Sequence, residues 1–229
     1  MNTPASVVFV VDDDEHVRNA LSRLLRSNGY CVQAYESASA FMHGADLRRA
    51  PACLLLDLQL PDLSGIELQR QLDGRIPIIF ISAHGDFGPA IAAMKAGAMD
   101  FLIKPVHESV LFEATERALE CARRCFEQRE LSEEIQRRVA TLTPREREVM
   151  ALVVSGRANK IIACELGAAE KTIKIHRARV MEKMGADSLA NLVHLHSHCD
   201  LIDPPAPSRR RTDASDAWHA ADARAVPLA

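Results

Sequence analysis

Five short apolar runs punctuate the first half of the chain: Val7 to Val11, Cys31 to Tyr35, Ala52 to Leu56, Ile78 to Ile81 and Met99 to Ile103. Runs this short and mostly apolar show little polar side to water, as strands of a parallel sheet covered on both faces by helices do. The intervals carry helical patterns. Val17, Leu21, Leu24 and Leu25 recur at helical spacing and stop at Gly29. Ser37 and Ser64 stand where N-caps belong, the latter ahead of Ile66, Leu68 and Leu72. Pro89 suits the first turn of a fourth helix that holds Ile91 and Met94 and ends near Gly97. Five such units predict an α/β doubly wound five-stranded parallel sheet.

In that architecture ligands gather beyond the carboxyl ends of the strands, where the strand order reverses. The residues there are chemically pointed. Asp12, Asp13 and Asp14 follow the first run, Asp57 ends LLLD, Ser82 follows the fourth run and Lys104 the fifth. With a 2-1-3-4-5 order the first and third strands are neighbours, which brings Asp12, Asp13 and Asp57 together. Carboxylates so close repel unless one is protonated or a cation joins them. A hard divalent cation is the simple solution, and Mg²⁺ uses one or two carboxylates, waters and a phosphate oxygen. Asp57 is then the candidate nucleophile.

The segments VVDDD, LLLDLQLPDLSG, PIIFISAHGD and AMKAGAMDFLIKP, in this order, resemble the receiver domain of two-component response regulators. The resemblance implies that Asp57 takes a phosphoryl group from a phosphohistidine on a sensor histidine kinase. Asp12, Asp13, Asp57 and the Gln59 backbone carbonyl would hold Mg²⁺, while Asp14, one place beyond, is expected to be solvated. Ser82 would donate to the phosphoryl oxygens and Lys104 would neutralise them. Ser82 and Phe101 would form the switch, altering a dimerisation face on the fourth helix and fifth strand. The resemblance also places a cis bond before Pro105, against the ordinary preference of X-Pro bonds for trans.

The second half has a different character. Residues 1 to 120 carry 10 Lys and Arg against 16 Asp and Glu, whereas residues 141 to 199 carry 9 against 6, so an acidic unit precedes a basic one suited to a polyanion. From His107 a helical stripe of Leu111, Ala114, Ala118, Cys121, Cys125, Leu131 and Ile135 runs without Gly or Pro to Pro144. It reads as a fifth helix continued as a linker, either a solvated spacer or a coiled-coil-like contact between two copies. Thr143, Pro144 and Glu146 have the form of a capping box, and a stop falls near Gly156. Two further helices are expected from Asn159 and from about Lys171, joined at Gly167, which suggests helix-turn-helix. On the third, Ile173, Val180 and Met184 make a core stripe. Lys171, Thr172, Lys174, Ile175, His176, Arg177 and Lys183 lie on the remaining faces. A recognition helix needs such side chains, for base edges and for phosphates.

LTPREREV, ANKIIACELG, KTIKIHRARVMEKM and SLANLV resemble the LuxR-type effector domain of the FixJ-like response regulators. Lys160, Thr172, Lys174, His176 and Arg177 fall on that motif; GAAEKT departs from the usual isoleucine-serine turn. The expected organisation is a receiver domain at 1–120, a helical linker at 121–140, an all-α four-helix helix-turn-helix domain at 141–199 and a disordered tail at 200–229. The implied function is a phosphorylation-dependent transcription activator. Its partners are the kinase, promoter DNA, RNA polymerase and, once phosphorylated, a second copy. Two other readings stay open: a DNA-binding regulator that ignores phosphorylation, and a Mg²⁺-dependent aspartyl phosphohydrolase, which would want a second Asp where Gln59 stands.

Composition narrows the rest. The apolar runs are too short to cross a bilayer and the N-terminus lacks a signal-peptide pattern, so a cytoplasmic protein is expected. Six cysteines without a paired spacing argue for reduced thiols. His194 and His198 are four apart and could share one helix face, with Cys199 beside them, but no separate ligand motif supports a metal site, and Arg209 to Arg211 are read as a solvated run.

Overall fold

A computed structural model describes residues 5–83 and 87–200. The expected tail, Arg209 to Arg211 and the side chains of His198 and Cys199 lie outside the described residues.

The chain divides between Glu134 and Ile135 into two compact units. In the first, β1 (Val7–Val11), α1 (Glu15–Ser27), β2 (Cys31–Tyr35), α2 (Ala38–Gly44), β3 (Ala52–Asp57), α3 (Gly65–Leu72), β4 (Ile78–Ser82), α4 (Phe87–Lys95) and β5 (Asp100–Ile103) lead into α5 (Glu108–Ala140). The strands pair in parallel in the order β2-β1-β3-β4-β5.

Alternation along the strands sorts the core into two layers. Phe9, Val11, Leu54, Leu56, Ile78 and Phe80 meet Phe41 of α2, Leu68 and Leu72 of α3 and Ala93 of α4. Val8, Val10, Cys53, Leu55, Ile79 and Ile81 meet Leu21 and Leu25 of α1 and Leu111, Ala114 and Ala118 of α5. Both faces of β3 and β4 are thereby covered, which is why their sequences show no polar alternation.

The second unit takes the end of α5, where Ile135 is buried, and adds α6 (Pro144–Val154), α7 (Asn159–Glu165), α8 (Glu170–Met184) and α9 (Leu189–Asp200). Thr143 and Glu146 close the expected capping box. Ile173, Val180 and Met184 pack with Val149, Val153, Ile162 and Leu192. On α7, Ile162 and Ala163 are buried while Ile161 and Cys164 are exposed, because four consecutive positions spread around a helix rather than along one face. Residues 121–140 all lie within α5, but Ala122 and Phe126 are buried in the first unit, so its beginning is packed helix.

Candidate functional site

Strand register assembles the first site. Val11 pairs with Leu56, Asp57 with Ile81 and Ser82 with Ile103, so Asp12, Asp57, Ser82 and Lys104 emerge side by side at one edge of the sheet. One carboxylate oxygen each from Asp12, Asp13 and Asp57 lies within 4.8 Å of the others. Asp12 is 1 % exposed, Asp57 half-buried and Asp13 exposed, a gradient from the core to solvent.

Lys104 Nζ donates to Asp12 Oδ2 at 2.8 Å and to Asp57 Oδ2 at 3.1 Å, so one ammonium offsets two of the carboxylates. Burial pushes the Asp12 carboxyl above its usual 3.8, against the opposing pull of Lys104. Burial would depress the Lys104 ammonium, but the hydrogen bonds to Asp12 and Asp57 overcome it and leave the group above its ordinary 10.5. The peptide bond between Lys104 and Pro105 is cis. Ser82 is buried at the end of β4, and half-buried Phe101 stacks on Phe80 with ring centroids 6.2 Å apart.

Local structure fixes the acidic loop in ways the sequence reading missed. Asp14 is exposed, as expected, and is also the N-cap of α1: its side chain accepts from the His16 and Val17 amides. Those bonds, Val17 first, hold its carboxyl below the usual value. An Asp just before a helical pattern is an N-cap signal, but here it was hidden in a run of like charges. Arg18 Nη1 donates to the Asp12 carbonyl at 2.8 Å and the Asp13 carbonyl at 3.2 Å, so α1 grips the backbone that presents both carboxylates. After Asp57, the Gly65 amide donates to Leu58 O at 2.9 Å, and a Cβ at Gly65 would stand 2.5 Å from Asp57 O. Only glycine fits this closely beside β3.

These residues fit a divalent cation: three acidic ligands of graded exposure converge, with a backbone segment at Gln59 beside them. The chemistry available is that of a carboxylate nucleophile flanked by a hydroxyl donor and a fixed cation.

The second site lies on α8. Lys171, Thr172, Lys174 and Ile175 are exposed, as is Lys160 on α7; Ile175, an aliphatic side chain, is 47 % exposed. Lys174 pairs with Glu170 at 3.2 Å in the open. Arg177 Nη1 donates to Asn159 Oδ1 at 3.1 Å, which ties α8 to the start of α7. His176 is half-buried, and its Nδ1 has no hydrogen-bond partner among the described residues.

Lys183 faces the body of the unit: Nζ donates to Glu146 Oε2 at 2.7 Å and to Thr141 O at 3.0 Å. Glu146 is 2 % exposed, and Lys183, followed by the Thr143 amide, lowers its carboxyl to about 2. A flank position on a helical wheel cannot distinguish solvent from a neighbouring helix.

Comparison with known proteins adds an independent view. The family model described as "Response regulator receiver domain" matches residues 8–116. That described as "Bacterial regulatory proteins, luxR family" matches residues 140–196. The transcriptional regulatory protein FixJ of Rhizobium meliloti is 44% identical over 192 residues, which cover 82% of this chain and 93% of that protein. The response regulator protein TodT of Pseudomonas putida is 41% identical over 198 residues, 85% of this chain and 87% of its own. The solved structure of the response regulator StyR superposes with a TM-score of 0.75 at 45% identity, covering 84% of this chain and 98% of that one.

Proposed function

The chain belongs to the FixJ-like two-component response regulators, a receiver domain followed by a LuxR-type DNA-binding domain, and we propose that phosphorylation of Asp57 switches its grip on DNA. As a member of that family it is a transcription regulator and not an enzyme. The observation that carries the switch is the convergence of Asp12, Asp13, Asp57 and Lys104 at one edge of the sheet.

In this reading a carboxylate oxygen of Asp57 attacks the phosphorus of a phosphohistidine on the sensor kinase. The P–N bond breaks, the imidazole leaves with its electron pair, and Asp57 becomes an acyl phosphate. Lys104, already bound to Asp57, offsets the charge brought in by the phosphoryl oxygens, and the Ser82 hydroxyl donates to one of them. Mg²⁺ held by Asp12, Asp13, Asp57 and the Gln59 carbonyl would neutralise charge on the group in transfer. Movement of Ser82 toward the new group makes room for Phe101 to turn inward, away from its place on Phe80.

We assign the receiver to 1–120, the linker to 121–140 and the DNA-binding domain to 141–199. Ile91 and Met94 of α4 and Ile103 of β5 are 52, 46 and 55 % exposed, and apolar side chains so placed support a dimer face there. A dimer raises the effective concentration of the second DNA-binding domain and so the affinity for paired half-sites. Lys160, Lys171, Thr172, Lys174, Ile175, His176 and Arg177 form the proposed DNA-facing set, and the regulator acts as an activator through RNA polymerase. Among the described residues no helix is long and apolar enough to cross a membrane.

The test is promoter binding, measured by footprinting on the chain's own upstream regions with and without acetyl phosphate and Mg²⁺. The proposal expects at least about tenfold tighter binding after phosphorylation, the range of avidity gains at modest effective concentration. Equal affinity in both states would leave a regulator that ignores phosphorylation.

A further inference from the structure

We propose that Asp62 is a positioning residue for the metal site: by gripping the N-terminus of α2 it fixes the middle of the β3–α3 loop and, with it, the Gln59 backbone. The inference rests on the reading above, in which the Gln59 carbonyl helps to hold Mg²⁺, and adds the residue that keeps that carbonyl in place.

The loop runs from residue 58 to 64. Its ends are pinned close to Asp57. The Gln59 amide donates to Asp57 Oδ1 at 3.3 Å, the Gly65 amide donates to Leu58 O at 2.9 Å, and a Cβ at Gly65 would stand 2.5 Å from Asp57 O. Between these pins, Leu60 and Leu63 rest half-buried on the core, and apolar contacts leave a loop free to slide. Asp62 is the one residue from 60 to 63 with a polar side chain.

That side chain reaches another element. Its carboxylate accepts from Ser39 Oγ at 2.6 Å and the Ser39 amide at 2.8 Å through Oδ2, and from the Ala38 amide at 3.3 Å through Oδ1. Ser37 already caps α2 by accepting from the Ala40 amide at 3.1 Å. The helix thus has a cap of its own, and Asp62 takes the two amides that Ser37 leaves. What Asp62 adds is a tie between α2 and the acceptor loop, made of three hydrogen bonds to a charged acceptor. Partners that orient the groups holding a metal commonly matter to its affinity by an order of magnitude or more.

The experiment is Mg²⁺ titration calorimetry of the full chain at fixed ionic strength, together with unfolding temperature, for the parent, Asp62→Ala, Asp62→Asn and Ser37→Ala. Asp62→Ala is expected to raise the Mg²⁺ Kd about tenfold, with phosphoryl uptake from acetyl phosphate restored once Mg²⁺ is raised to saturation. Asp62→Asn, which keeps one acceptor oxygen, recovers part of the affinity. Ser37→Ala lowers the unfolding temperature by weakening the same helix but leaves the Mg²⁺ Kd unchanged. An Asp62→Ala variant that binds Mg²⁺ like the parent overturns the proposal, as does an equal loss in Ser37→Ala, which would reduce Asp62 to a helix cap. A parent that binds no Mg²⁺ would overturn the metal assignment and the positioning role with it.

Discussion

Among individual side chains, Lys104 carries the most consequence, because it occupies by charge the space that a cation would share. With Nζ at 2.8 Å from Asp12 and 3.1 Å from Asp57, it stabilises both carboxylates and also repels an incoming ion. Lys104→Met is therefore expected to tighten Mg²⁺ binding by roughly an order of magnitude, the scale of one charge removed a few ångströms away. Calorimetry at fixed ionic strength reads the change, and a variant that binds Mg²⁺ no tighter than the parent would contradict it. Asp12 sets the pH dependence. Burial first of all raises its carboxyl above 3.8, so the fold favours its protonated form. The sign is opposite to that of a stabilising carboxylate: the cost is absent at low pH and incurred as pH rises through the raised value. Asp12→Asn should accordingly raise the unfolding temperature near neutral pH while weakening Mg²⁺ binding. Since the ion needs the carboxylate, Mg²⁺ affinity in the parent should begin to fall at a pH above that of a solvated aspartate. Affinity held constant down to about pH 4 would contradict this.

At the scale of elements, the turn chemistry and the strand ends were legible in the sequence, and the ties between elements were not. Asp12, Asp57, Ser82 and Lys104 could be read as one site because parallel register carries the end of each apolar run to the same edge. Asp62 could not, since a hydrogen bond to an element more than twenty residues away depends on how the two approach, and the cap at Asp14 was masked by the like charges beside it. Lys183 shows the same limit in the DNA-binding domain, where it joins the end of α8 to the start of α6 through Glu146. The pin makes that domain acid-sensitive. Lys183 and the Thr143 amide lower Glu146 to about 2, so its contribution to stability is full above about pH 4.5 and lost as pH falls toward 2. Acid unfolding followed by circular dichroism should show Glu146→Gln losing this dependence. Thr143→Ala should cost about 1 kcal/mol through the lost cap. An unchanged acid midpoint in Glu146→Gln would separate the pin from the stability of the unit.

For the whole molecule, an acidic receiver and a basic effector are joined through α5, and the switch must couple chemistry in one to affinity in the other. The exposed Ile91, Met94 and Ile103 supply the surface on which that coupling is proposed to act. Met94→Glu places a charge there without touching the acidic site. It should leave phosphoryl uptake intact while abolishing the phosphorylated dimer in sedimentation, and a dimer that survives it would move the interface elsewhere. The linker was legible as a helix but not in its packing: the expected stripe ran through Cys121, Cys125 and Leu131, whereas Ala122 and Phe126 are the buried residues and Cys125 and Leu131 are exposed. Everything at this scale depends on Asp57 accepting a phosphoryl group. The most direct measurement is the intact mass of the chain after Mg²⁺ and acetyl phosphate, beside Asp57→Asn. The account predicts one added phosphoryl group on the parent and none on the variant; an equal addition to both, or none to the parent with donor and its own kinase supplied, would contradict it.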